Sequence, residues 1–306
     1  MNITMKKPFI WIPAALFCAL LWGSAFPAVK SGYELFQVDT THVFSILVFA
    51  GFRFTLAGLL TLLMAVLFLK KIPRVEKSER KGIVLLGLVQ TTLQYTFFYI
   101  ALSNTTGVNG SILSATSGFI AVVFAALYYK NDRLTMGKVV GCVIGLVGII
   151  LLNLGEGEIS TNFSMFGEGF MLLSAALSGL GTLMSKELTG KTHPFAVSGY
   201  QLFLGGAVLS IIGLLGGGRL TPTGPEAYLL LLYLALLSCL AFGIWTILLK
   251  YHQMSKISIF KAMIPVFGSF LSVVFLGEPL HPSALFSLLL IVAGIVVLNR
   301  WKTSAT

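Results

Sequence analysis

The chain has 306 residues, of which 56% are hydrophobic and only 10% charged, and its mean hydropathy is +0.91. Soluble domains carry about 25% charged residues, and so few charges leave too much apolar surface to face water. That excludes a soluble enzyme, a disordered chain and a disulfide-stapled one. The net charge of +10 is broken into short basic clusters between apolar runs, which is the pattern of membrane topology and not of a nucleic-acid-binding face.

Windows long enough to cross about 30 Å of hydrocarbon predict an all-α integral membrane protein of ten spans. They lie near 9–29, 42–69, 82–103, 108–129 and 135–154, then 166–186, 195–215, 227–249, 257–276 and 283–300. The apolar run behind Lys6 and Lys7 exceeds the roughly 7–15 residues of a signal-peptide core and reads as the first span. Trp22 lies within it, and Pro27 frees the carbonyl of Gly23 by removing an N–H. Arg53 stands roughly 17 Å into the second span at 1.5 Å per residue. It reads as a structural charge tying span ends through backbone carbonyls, with substrate contact as the alternative.

On the third span Gln90 and Gln94 share one face, with Tyr95 and Tyr99 on an adjoining one. On the fourth, Ser111, Ser114 and Ser117 recur at helical spacing. Gly137, Gly141 and Gly145 give the fifth a double small-xxx-small face for close packing. Ser174, Ser178, Thr182 and Ser185 line one side of the sixth, Gln201 of the seventh aligns with Arg53, and Trp245 lies on the eighth. In the ninth, Pro265 frees the carbonyl of Lys261. An ionisable side chain within a span is a functional candidate, because its burial is costly unless it is paired. Lys261 either faces a cavity, where it favours a carboxylate or phosphate, or runs its stem to the interface one turn away. Any one serine reads as helix packing.

With the N-terminus inside, every Lys and Arg lies at an inner segment except Lys30 and Arg219 outside and Arg53 and Lys261 within spans. This predicts N-in, C-in. Asp132 and Glu278 precede spans five and ten and read as helix caps. No Asp or Glu lies deep in a span, which argues against cation/proton antiport by a membrane carboxylate. His42, His193, His252 and His281 lack ligand spacing, and Cys18, Cys142 and Cys239 read as small buried hydrophobes, so no metal and no cofactor is expected. No P-loop, HExxH or GxSxG appears, and transport is favoured over a membrane enzyme.

Slid on itself by about 146–156 residues, the chain repeats. CALLWGSAFPAVK (18–30) falls over SAALSGLGTLMSK (174–186), FAGFRFTLAG (49–58) over VSGYQLFLGG (197–206), and NDRLT (131–135) over GEPLH (277–281). The units, 9–154 and 166–300, hold five spans each. An odd number inserts the second unit upside down, an inverted-repeat transporter plan with substrate held between the halves.

WGSAF (22–26), the arginine of FRF (52–54) and GEPL (277–280) resemble the EamA family of the drug/metabolite transporter superfamily, over nearly the whole chain. The resemblance implies transport of a small metabolite across the bacterial inner (cytoplasmic) membrane, often export, through a cavity formed mainly by spans 1, 3, 4, 6, 8 and 9. The polar and aromatic stripes on those spans then become candidate walls: Trp22, Gln94, Tyr99, Ser114, Ser117, Ser178, Thr182, Trp245 and Lys261. One departure is that Phe119 stands where Pro265 aligns, so the resemblance carries no symmetric pair of kinks. Expected partners are a small-molecule substrate and the lipid bilayer, with no nucleic acid, and one chain is enough to enclose a cavity. Tyr, Trp and a lysine together lean towards an amino acid or related aromatic or anionic metabolite, with multidrug or cation efflux as the alternative.

Overall fold

The computed structural model describes residues 7–70, 73–154, 164–278 and 282–300. Lys6, His281 and the last two residues of the GEPL motif lie outside them. Helices run in the order α1 (Pro8–Leu35), α2 (Val43–Leu69), α3 (Arg80–Ser103), α4 (Gly107–Ser114 and Thr116–Tyr128) and α5 (Met136–Leu154). They continue as α6 (Met165–Lys191), α7 (Pro194–Leu215), α8 (Pro225–Tyr251), α9 (Met254–Leu276) and α10 (Pro282–Arg300), with no strand among the described residues. Among the described residues, eight helices are long and apolar enough to cross a membrane. In α5 and α10 the apolar stretch is shorter, Met136–Gly148 and Leu285–Gly294.

Pro8, Pro194 and Pro225 open their helices, where a missing N–H costs nothing. Lys70 and Gly277 close α2 and α9 in the left-handed region, with φ 52° and 65°. Large apolar side chains such as Leu67, Phe68, Leu127, Leu215 and Phe275 stand outward and exposed. In water that belt would be an aggregation surface, whereas lipid covers it. The chain is a multi-pass membrane protein.

Several helices are interrupted. A wide π-helical turn spans Gly87–Leu93 in α3. In α9 a short helix, Met254–Ser258, gives way to a 3₁₀ turn, Ile259–Met263, before Ile264–Leu276 resumes with Pro265 in its first turn. The Lys261 carbonyl, expected to be freed by Pro265, accepts instead from the Ile264 N–H, because the tightened turn pairs residues three apart.

α4 breaks too, and without a proline. Around Ala115 the hydroxyls of Ser114 and Thr116 donate back to the carbonyls of Ser111 and Leu113, both at 2.7 Å, a competition that bends helices. A Cβ on Gly118 would lie 2.8 Å from the Ser258 carbonyl oxygen, so the two breaks abut. The equivalent helices α4 and α9 are therefore both broken, although the sequence supplies a proline at the break of only one of them.

The helices pair across the repeats: α2 on α7, α5 on α10, α4 on α9, α1 on α8 and α3 on α6. α5 and α10 approach backbone to backbone, since a Cβ on Gly294 would lie 2.5 Å from the Gly141 carbonyl oxygen. α5 also braces α4 through the Phe119 ring, which packs on Gly145.

Candidate functional site

α1, α3, α4, α6, α8 and α9 enclose a cavity of about 70 Å³, with one side chain of α2 also in its wall. Its centre is Lys261, held in the 3₁₀ turn of α9 and only 4% exposed. The ammonium donates to Ser178 Oγ at 3.0 Å and Thr182 Oγ1 at 2.9 Å, both on α6. It also lies over two rings, 5.8 Å from the centre of Trp22 and 5.6 Å from that of Trp245. The two indoles meet edge to face at 5.0 Å. Of the two readings open in the sequence, this geometry is the cavity-facing one, with the stem turned away from the interface.

Both indole Nε1 atoms are buried without a hydrogen-bond partner among the described residues, and so is Gln94 Oε1. Unpaired buried donors are costly, and here they share one wall with a lysine that has only neutral hydroxyl acceptors. No acid is among the described lining residues.

Arg53 is the side chain that α2 contributes. It is 2% exposed, and its Nε donates to Ser238 Oγ at 3.1 Å while Nη1 donates to Tyr99 Oη at 2.8 Å. The guanidinium lies 4.9 Å from the Phe54 ring centre. The expected ties to span-end carbonyls are replaced by hydroxyls on α3 and α8, because Arg53 sits mid-helix, where backbone carbonyls are already used. Gln201, its aligned counterpart, is fully buried but does not line the cavity.

The other expected residues divide. Trp22, Gln94, Ser114, Ser117, Ser178 and Trp245 line the wall. Thr182 stands one turn behind as a Lys261 acceptor. Tyr99 is also set back: its hydroxyl holds Arg53 and its carbonyl accepts from Tyr33 Oη at 2.9 Å. Neither proline is in the wall. Pro265 starts the helix beyond Lys261, and Pro27 borders a separate crevice of about 330 Å³ with Ser24, Tyr233 and Phe275.

The sequence reading missed Phe26 and Phe242, apolar residues on largely apolar helices where periodicity carries no sign of which face is inward, and Phe98, which continues the Gln90–Gln94 face of α3 by one turn and could have been found from it. Gln90 is in the wall as well, its Oε1 accepting from Ser185 Oγ at 3.0 Å. Its side chain lies flat on Gly181, where a Cβ would come within 2.6 Å of it.

At the bundle ends, each acid caps a helix of the opposite repeat. Asp132 accepts from Ser255 N at 3.0 Å and from the Ser255 hydroxyl, at the start of α9, and pairs with Lys138 Nζ of α5 at 2.6 Å. Glu278 accepts from Gly107 N at 2.9 Å, at the start of α4, and pairs with Lys30 at 3.7 Å.

A family model described as the EamA-like transporter family matches residues 9–154 and again 165–300. An "Uncharacterized transporter" of Archaeoglobus fulgidus is 28% identical over 264 residues, covering 85% of this chain and 86% of its own length. A "Probable amino-acid metabolite efflux pump" of Salmonella typhimurium is 27% identical over 300 residues, 92% of each chain. A solved crystal structure, 19% identical, superposes with a TM-score of 0.71 over 93% of this chain and 94% of that one, which supports the fold.

Proposed function

The chain belongs to the EamA-like transporter family, and from that premise we propose that it moves a small carboxylate-bearing metabolite, an amino acid or a related aromatic or anionic compound, out across the cytoplasmic membrane. The observation that carries this reading is Lys261, buried between Trp22 and Trp245 with only two hydroxyls as acceptors. A carboxylate there gains the ammonium and the unpartnered indole N–H groups, while an aromatic body packs on the rings. The Salmonella relative's printed name supports the amino-acid leaning and the direction. Cation efflux loses support, since the described wall holds two cations and no acid.

α5 and α10 are read as the fifth and tenth spans, with both termini inside and the second repeat inverted. A dry pocket of roughly 150 Å³ accepts benzene, so 70 Å³ is too small for an aromatic metabolite. On this reading the cavity widens to take cargo, which enters when the helices part at one end and leaves at the other, by alternating access.

The test is thermal unfolding of detergent-purified protein against amino acids, nucleosides, sugar phosphates and organic cations. A ligand at about 100 times its Kd stabilises by roughly 2.7 kcal/mol. The expected result is stabilisation by an anionic or zwitterionic compound that is lost in Lys261→Ala and in Trp245→Ala. Stabilisation by cations alone would overturn the reading.

A further inference from the structure

We propose that the cavity prefers a net-negative organic acid to the zwitterionic amino acid of the same carbon skeleton, and that Arg53 sets this preference as a second anchor apart from Lys261. The inference rests on reading the cavity as the cargo site and narrows the class of cargo.

Two cations face one small cavity, on α2 and α9, and neither meets a carboxylate among the described residues. Arg53 spends Nε and Nη1 on Ser238 and Tyr99, and its Nη2 donates to none of the described residues. A guanidinium held by two hydroxyls, its plane steadied over Phe54, is a positioned fork with a donor left over, the geometry that suits an oxygen acceptor. Such a group is costly to bury without a counter-ion, and a purely structural tie would need only a neutral donor.

An amino acid brings an α-ammonium alongside its carboxylate. With the carboxylate at Lys261 and the two indoles, that ammonium enters a wall bearing two positive charges, where like charges repel most because water is excluded. Its acceptors there are all neutral: the unpartnered Gln94 Oε1 and the serine hydroxyls of the wall. Replacing the amine by a carbonyl oxygen removes the repulsion and turns a donor facing cations into an acceptor facing them. The rings of Phe26, Phe98 and Phe242 suit an apolar body once the helices part, and the attraction of a ring face for an ammonium does not supply the counter-charge that two cations in the same wall demand.

Phenylpyruvate, phenylalanine and phenethylamine share one ring and a similar skeleton while stepping from net −1 through zwitterion to cation. Their Kd values for the full-length detergent-purified protein, from ligand-dependent thermal unfolding, are compared for wild type, Arg53→Gln and Arg53→Lys. We expect phenylpyruvate to bind about tenfold or more tighter than phenylalanine, and phenethylamine not to bind. The ratio should collapse towards one in Arg53→Gln and persist in Arg53→Lys, which also serves if the glutamine variant does not fold. Equal or tighter binding of phenylalanine to wild type overturns the inference and leaves the transport reading standing. So does a ratio unchanged in Arg53→Gln, which would make Arg53 structural only. If none of the three compounds binds, the cargo reading of the cavity fails and takes this inference with it.

Discussion

Changing Asp132 to Asn keeps the shape of the side chain and removes its charge. The carboxylate is 2% exposed and takes three donors: Lys138 Nζ at 2.6 Å, Ser255 N at 3.0 Å and the Ser255 hydroxyl. An amide offers one acceptor oxygen where all three contacts need acceptors, so its NH₂ must face a donor. Lys138 keeps the carbonyls of Asp132 and Arg133, at 3.1 and 2.9 Å, which limits its loss. Hydrogen bonds to charged groups contribute about 1.5–3 kcal/mol each, so one lost and one weakened costs about 3 kcal/mol. At about 2 °C per kcal/mol for a chain of this length, the melting temperature falls by about 6 °C. Glu79→Gln is the control at an exposed ion pair. Its ion pair with Lys191 is 3.4 Å long and the lysine side chain is 65% exposed, so solvent screens it. About 1 kcal/mol, or about 2 °C, is expected. The assay is unfolding of detergent-solubilised variants at one fixed scan rate, since such transitions are often irreversible. A Glu79→Gln loss equal to or larger than that of Asp132→Asn refutes the argument from burial and donor count.

Gly294→Ala drives a methyl into the Gly141 carbonyl and the Gly145 nitrogen, backbone atoms with no room to yield, and should cost about 2 kcal/mol or more in thermal unfolding. Gly190→Ala, where a Cβ meets nothing within 4 Å, should be neutral or stabilise by up to about 1 kcal/mol. Gly181→Ala displaces Gln90 from its seat and weakens the Ser185 bond, so ligand affinity should fall several-fold while the melting temperature drops by about 2–4 °C. Ser178→Ala and Thr182→Val each remove one acceptor from a buried ammonium and should each destabilise the ligand-free protein by about 1.5–3 kcal/mol. Saturating ligand should reduce that loss, because a bound carboxylate replaces the missing acceptor.

Much of the centre was legible in the sequence because an apolar span makes a polar residue conspicuous. Lys261, Trp22, Trp245 and Ser178 stand out against their helices, and they meet in one wall. Arg53 was equally conspicuous, but one residue in a span has no periodicity, so its direction was open until α2 was seen packed beside α3 and α8. The break in α4 was hidden for a different reason: hydroxyls that bend a helix and hydroxyls that line a cavity make the same stripe. Asp132 and Glu278 do cap helices, yet the nitrogens they cap, on Ser255 and Gly107, are more than a hundred residues away, and spacing along the chain points only to the helix that follows.

The pairing of α2 with α7, α4 with α9 and α5 with α10 sets matching surfaces of the two repeats against each other, as two copies of one subunit meet in an isologous dimer. Two identical copies would offer every ligand a twofold-symmetric chamber, in which an asymmetric molecule has two equivalent orientations. Joined in one chain, the halves are free to differ. Arg53 faces the chamber where its counterpart Gln201 does not, and Lys261 stands in only one of the two broken helices. The fusion thus gives the chamber a head and a tail, so that a small lopsided molecule is held one way round.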